Sequence, residues 1–400
     1  AGTLEVAGQR ADVIIANPSG LVVNGLSLIN AAGLTLTTGA PRYDAGGNLE
    51  GFSVRGGAVH LEGHGLDAGQ ADYAQVLARA ITLNAGLWGK DLRMVTGINE
   101  LSADGMVHSS TLNGAQDKPV FALDVAHLGG MYAHKISLIG TEAGLGVRNA
   151  GILAAATGPL VLSADGQLSN SGVIASQGAG ADLEISAKGI DNSGTLAAQR
   201  LDLTAARLDN AGRIVQTGPQ LLEITSLAVS NEGKNALLGA RAPSADAPAP
   251  PVHAAPEPAA PSGAAPRRGR IHMSQRLANT GELLAGGATD IKAIHSFVNS
   301  GAANLRELHS EGRLDNRKGA LQLQRLTGAQ TSVLNTQGTL FVASDLRFVA
   351  RHIDNTGGVL RSAQSLFAEV PTITNDAGTF SAAGGLHLNT GALSNRGGTL

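Results

Sequence analysis

Short stretches in which apolar and polar residues alternate recur along this chain, among them LEISA (183–187), LDLTA (201–205), LFVAS (340–344) and LHLN (386–389). Alternation with a period of two marks a half-buried strand, because successive side chains leave a strand on opposite sides. The stretches are punctuated by one phrase: an apolar residue, Asn, Gly two or three places on, then apolar residues again. GIDNSGTLAA (189–198), RLDNAGRIVQTG (207–218) and HIDNTGGVLR (352–361) are three copies. Lined up on Asn, the copies fall at Asn149, Asn170, Asn192, Asn210 and Asn231, then at Asn279, Asn299, Asn316, Asn335, Asn355, Asn375 and Asn395. Steps within each run lie between 17 (Asn299 to Asn316) and 22 (Asn170 to Asn192) residues.

A unit of this length holds about three short strands and their turns. It cannot bury an apolar face alone, so neighbours must stack. Leucine-rich repeats share the length but need Leu at fixed sites and a helical segment in each unit; here Leu, Ile, Val and Ala interchange. The predicted fold is therefore all-β, a right-handed parallel β-helix (solenoid) of about 20-residue coils. Stacking in register would place Asn above Asn, with side-chain amides hydrogen-bonded along the axis. Asn and Gly would serve turns that require positive φ. The stretch ADYAQVLARAITLN (71–84) also fits a helix with Tyr73, Val76, Leu77 and Ala80 on one face; its strand-rich surroundings favour strands.

Residues 242–270 interrupt the pattern and carry eight prolines (243, 248, 250, 251, 256, 258, 261 and 266) of the chain's 14. Such a run is expected to be extended and disordered, as a hinge between two rods or a loop from one. The chain thus divides into 1–148, repeats over 149–241, the Pro/Ala-rich segment 242–270, and further repeats over 271–400. Arg267, Arg268 and Arg270 are candidate contacts for acidic glycans, against the plainer reading of a solvated edge.

Composition narrows the function. With 54 Gly and 3% aromatics among 400 residues, thin repeated layers are favoured over a few large cores, while 43% hydrophobic residues are too many for a disordered chain. A net charge of −3 gives no general attraction to nucleic acid or anionic membranes. No apolar run reaches transmembrane length, so no membrane insertion is expected. The absence of cysteine suits a chain that crosses a membrane unfolded.

Candidate chemistry is sparse. His60 and His64 flank Glu62, but H-E-x-x-H needs a helix and another Glu position, and His residues four apart on a strand are about 13 Å apart. Asp191, Asp209, Asp315 and Asp354 precede repeat Asn residues, and could form a carboxylate row of the kind that polysaccharide-cleaving β-helices use. Ser169, Ala278, Val298 and Leu334 break the row, which favours turn-stabilising aspartates. GLGVRNAG (144–151) lacks the third glycine of a nucleotide loop. Trp88 and Tyr132 read as packing residues capping or lining the early coils. No catalytic residue, cofactor or metal site is expected.

ADVIIANPSGLVVNG (11–25) places Asn-Pro-Ser-Gly between two apolar strands: Pro18 fixes φ for a type I or II turn, and Gly20 can take positive φ. GTLEVAGQRADVIIANPSGLVVNG, followed by LTLTTGAP (34–41), resembles the secretion domain of two-partner secretion exoproteins of the filamentous haemagglutinin family. The family's Asn-Pro-Asn-Gly-Ile turn stands here as Asn17, Pro18, Ser19, Gly20 and Leu21, changed at two positions. FALDVAHLGGMYAHKISLIGTEAGLGVRNAG (121–151) is similar to the end of that domain, and the Asn-Gly copies resemble haemagglutinin repeats. The family's Asn-Pro-Asn-Leu turn is missing, and both ends look cut, so an internal fragment is expected.

The resemblance implies a β-helical protein read by an outer-membrane partner transporter and exported to the surface of a Gram-negative cell. It would be a non-enzymatic adhesin that meets a host-cell surface glycan or receptor. The alternatives are the stalk of a contact-dependent inhibition protein that delivers a toxin and, more remotely, a polysaccharide-degrading β-helix enzyme.

Overall fold

A computed structural model describes residues 2–110, 118–178, 180–218, 222–240 and 269–400. Every regular element among them is a strand, including Tyr73–Ala78 and Ala80–Leu83, where a helix was the other option. The strands fall in two compact units, one ending at Gln199 and the other beginning at Arg200.

In the first unit the chain winds through three columns of parallel strands. One column runs through Ala11–Ala16, Ala31–Thr37, Tyr73–Ala78, Asp91–Thr96 and Lys135–Gly140. The second runs through Leu21–Ile29, Ala58–Asp67, Ala80–Leu83, Phe121–Val125 and Gly146–Asn149. The third runs through Gly86–Trp88, Gly130–Ala133, Ile152–Ala155, Val173–Ser176 and Thr195–Ala198. Alternate side chains point inward and stack like upon like. Leu36, Val76, Met94, Leu138, Leu162 and Ile185 are successive register partners, all buried. Burying such a side chain stabilises by about 1.5–3 kcal/mol, and much of its cover comes from the coils above and below.

Two excursions leave the first column and build what the periodicity did not predict, a four-stranded antiparallel sheet. It comprises Ala40–Tyr43, Leu49–Val54, Asn99–Ser102 and Val107–Ser110. The first hairpin is closed by local chemistry: Asp44 Oδ1 accepts the Gly46 and Asn48 N–H groups at 2.8 Å each. The sheet docks through Phe52, Val54 and Leu101 against Leu77 and Val95 of the solenoid, all buried. A parallel coil is thus the rule here, with one antiparallel flap beside it.

The second unit is built the same way. Ile224, Ile271, Ile291, Leu308 and Leu326 are successive buried register partners. Strand Leu222–Asn231 pairs directly with Gly269–Asn279, and Leu237–Ala240 with Glu282–Ala293. The coils on either side of residues 241–268 are therefore immediate neighbours. Of the two placements open to the proline-rich segment, this register favours an insertion within one coil over a hinge. Gly269 and Arg270, counted with the disordered run from sequence, belong to a strand; residues 242–268, with Arg267 and Arg268, lie outside the described residues.

Candidate functional site

The Asn-Pro-Ser-Gly turn sits between the strands Ala11–Ala16 and Leu21–Ile29. Gly20 N–H donates to Asn17 O at 3.0 Å, closing a four-residue turn, and Ser19 N–H donates to Asn17 Oδ1 at 3.1 Å. Gly20 has φ of 120°. Asn17, Pro18 and Ser19 are exposed, while Leu21 is half-buried and in register with Val59. The turn rests on a shelf that the sequence did not single out. Asn17 N–H donates to Thr37 O at 2.9 Å, Thr38 Oγ1 donates to Gly56 O at 2.7 Å, and Thr37 Oγ1 donates to Leu77 O at 2.8 Å. Gly57, at φ 76°, leaves room for the Pro18 carbonyl, which a Cβ would meet at 2.7 Å. The paired threonines of LTLTTGAP and the double glycine at 56–57 were the available signals.

The repeat asparagines form hydrogen-bonded ladders. In the first unit Asn149 Nδ2 donates to Asn170 Oδ1 and Asn170 Nδ2 to Asn192 Oδ1, at 2.8 and 2.7 Å. In the second unit the same bond, of 2.6–2.8 Å, links Asn210, Asn231, Asn279, Asn299, Asn316, Asn335, Asn355, Asn375 and Asn395 in turn. All are buried except Asn395, which is half-buried. Asn149 Oδ1 has no partner, because Val125 holds the register position beneath it.

The turn chemistry differs from expectation. None of the ladder asparagines has positive φ; in the later coils the left-handed residue is the one before the repeat glycine, at Lys318, Gln337, Gly357, Ala377 and Gly397. The repeat glycine is needed for another reason. A Cβ on Gly338 would overlap the Asn316 carbonyl oxygen, and one on Gly378 that of Asn355. Close stacking of backbones therefore selects glycine there.

The remaining candidates are scattered. His60 is half-buried and His64 exposed on the strand Ala58–Asp67, and no three metal-ligating side chains converge among the described residues. Asp191 engages Gln167, Asp209 engages Arg207, Asp315 engages Arg313 and Arg317, and Asp354 accepts from Thr356 N–H at 3.0 Å. Each serves its own corner rather than a shared carboxylate row. Arg270 is exposed, in register with Glu223 and Asp290. Trp88 and Tyr132 do not line the interior; they stack on the outer surface, with ring centres 6.1 Å apart and planes 15° apart.

A parallel β-solenoid with an exposed turn held on a threonine shelf and amide ladders at its corners defines a class: repetitive parallel β-solenoid proteins. Residues 1–174 match the family model of the TPS secretion domain, and residues 268–318 and 310–400 match the haemagglutinin repeat. The chain belongs to the two-partner secretion exoproteins of the filamentous haemagglutinin family, and is a secreted, cell-surface-associated protein of Gram-negative type. It is similar to Toxin CdiA of Yersinia pestis, 43% identical over 196 residues covering 49% of this chain and 6% of that protein. It is also similar to 16S rRNA endonuclease CdiA of Enterobacter cloacae, 32% identical over 400 residues covering 99% of this chain and 11% of that protein. Among solved structures, the filamentous hemagglutinin secretion domain is 32% identical, covering 54% of this chain and 69% of that one at a TM-score of 0.41. The chain thus spans about a tenth or less of the length of these curated relatives.

Proposed function

We propose that this chain is the secretion-competence region (1–148) and attachment shaft (149–241 and 271–400) of an adhesin-like exoprotein, without catalytic activity of its own. An outer-membrane partner transporter would recognise the exposed turn Asn17–Leu21, and the exported solenoid would meet a host-cell surface glycan or receptor. The observation that carries this reading is the secretion-domain match over 1–174, with that turn presented to solvent. A second reading is a stalk that carries a toxin to neighbouring bacteria, supported by relatives named as toxins and nucleases of far greater length.

The test is a binding assay of the refolded chain on host epithelial cells and on bacteria of its own genus, repeated at high salt. Binding to host cells that survives salt supports attachment. Binding confined to bacteria supports the stalk, and binding to neither removes both as properties of these residues. Recognition by the transporter is tested separately, by co-expression with it. Replacing Asn17 and Pro18 with Ala should lower the surface-exposed fraction while leaving the folded solenoid intact; unchanged export would remove the turn from the recognition step.

A further inference from the structure

A cavity of about 450 Å³ lies in the first unit, between the outer face of the first strand column and the antiparallel flap. Its floor is made of outward side chains in two register rows. One row holds Gly33, Tyr73 and Asp91, with Asp12 beside it at a break in register. The other holds Ile14, Thr35, Gln75 and Arg93. Gly33 makes the floor: a Cβ there would overlap the Tyr73 ring, so the ring occupies the space that a larger residue would fill. The flap is tied down over the floor by Gln75 Nε2 donating to Ala103 O at 3.0 Å and Arg93 Nη1 donating to Asp104 O at 2.8 Å. Gln75 is buried and donates also to Thr35 Oγ1 at 2.8 Å. The cleft is therefore preformed, within the size range of small-ligand sites.

What it binds follows from how its charges are disposed. Asp12 lies near the cluster in which Arg10 and Lys90 hold Asp72 at 2.7 and 3.5 Å, Asp91 pairs with Lys135 at 3.5 Å, and Asp104 lies near Arg93. Cations and carboxylates around the cleft are thus close to balance, so a free ion of either sign gains little. What remains is a spread of hydrogen-bond acceptors and donors around an aromatic ring and the aliphatic Ile14 and Leu49. Burial, then the Asp12 carboxylate, push the Tyr73 hydroxyl up to about 12, so it stays a neutral donor and acceptor at any physiological pH. A ligand with apolar C–H faces and a ring of hydroxyls matches such a lining; a sulfated or cationic ligand does not.

We propose that this cleft, floored by Tyr73 over Gly33 and walled by the flap at Ala103–Asp104, is a binding site for neutral pyranose saccharides. The proposal rests on the attachment reading above and gives it a ligand class. A glycan there would stack a C–H face on the ring and exchange hydroxyl hydrogen bonds with Asp12, Asp91 and Asp104.

The test is calorimetry and saturation-transfer NMR on the whole chain. The probes are lactose, chitotetraose and a neutral milk tetrasaccharide, with a heparin-derived hexasaccharide as the charged contrast, at low and high salt. At least one neutral probe should bind with little salt dependence. Tyr73→Phe and Asp12→Asn should each weaken it about tenfold, the effect of losing one well-placed hydrogen bond to a charged or coupled partner. Ile14 is 40% exposed at the mouth, so Ile14→Lys cannot perturb a core and should also weaken binding. Binding that all three variants leave unchanged places the site elsewhere. Binding of the heparin fragment alone, lost at high salt, or of no probe, overturns the proposal. The attachment reading fails separately: cell adhesion kept in the three variants sinks only the cleft, and saccharide binding without cell adhesion sinks only attachment.

Discussion

At the scale of single residues, the ladder asparagine does two jobs that only a carboxamide can combine: its oxygen accepts from one coil and its nitrogen donates to the next. Removing Asn335 leaves the buried Asn355 Oδ1 without its donor, whereas Asn316 Nδ2 keeps the Gly319 and Thr339 carbonyls. Asn335→Ala should therefore cost about 1–3 kcal/mol, the penalty of one stranded buried acceptor. Asn395→Ala, at a half-buried rung, should cost well under half as much; equal losses in urea denaturation would show that the ladder contributes no more than packing. The asparagines were legible in the sequence because their spacing is that of the coil. The reason for the glycine was not, since overlap with a carbonyl about 20 residues away is a property of the stack rather than of the turn.

A second pair was invisible in the sequence. Arg79 and Glu142 are 63 positions apart, yet Arg79 Nε and Nη2 donate to Glu142 Oε2 and Oε1 at 3.1 and 3.0 Å, with side-chain exposures of 9% and 0%. Deleting one partner strands a buried charge. Glu142→Ala should destabilise by about 3–5 kcal/mol, whereas the double variant Arg79→Met, Glu142→Leu should recover most of that loss. A double variant as unstable as the single one would mean that the pair fixes geometry beyond its charge.

At the scale of elements, strand and turn positions in the repeats were readable because local alternation and coil spacing agree. The flap was not, because its strands Ala40–Tyr43 and Leu49–Val54 alternate like any other, and nothing local says whether a strand pairs with the next coil or with its own hairpin. The same independence of coils bears on the proline-rich segment. The coil before it makes the equivalent connection with residues 217–221, between Arg213–Gln216 and Leu222–Asn231. Replacing 241–268 with TGPQL should therefore leave the circular-dichroism spectrum and melting midpoint unchanged. A collapse of either would make the segment part of the folded stack.

Corners of the second unit carry aspartates that should respond to acid. Burial opposes the charge of Asp315 and Asp354, but hydrogen bonds from Arg317 and from Thr356 outweigh it; at half-buried Asp376 the Ser394 hydroxyl leads, at 2.6 Å. All three are held below the ordinary carboxylate range. A depressed folded pKa contributes stability that is complete above the unfolded value, about 3.9, and is lost as pH falls through the lower folded value. The urea midpoint should hold from neutrality to about pH 4 and then drop as the pH is lowered further. The triple variant Asp315→Asn, Asp354→Asn, Asp376→Asn should show a shallower drop over that lower window; parallel curves would mean that other carboxylates govern acid sensitivity.

At the scale of the whole molecule, a parallel solenoid completes one layer at a time, and that would suit folding outside the cell as the chain emerges, as the proposed export implies. No ATP is available there. Each new coil covers the apolar edge of the last, so the free energy of stacking is released stepwise rather than in one late collapse. If that release helps to draw the chain outward, interior residues should matter to export kinetics before they matter to the final fold. Leu201, Leu203 and Ile214 are fully buried and far in sequence from the turn at Asn17 proposed for recognition. Replacing them with Asp breaks stacking locally, because a buried carboxylate without a partner is strongly disfavoured. Pulse-chase labelling with surface proteolysis should show the variant chain reaching the surface more slowly, with residues before Leu201 exposed on time and those after it delayed. Export at the normal rate with a misfolded shaft would mean that stacking follows secretion and does not drive it.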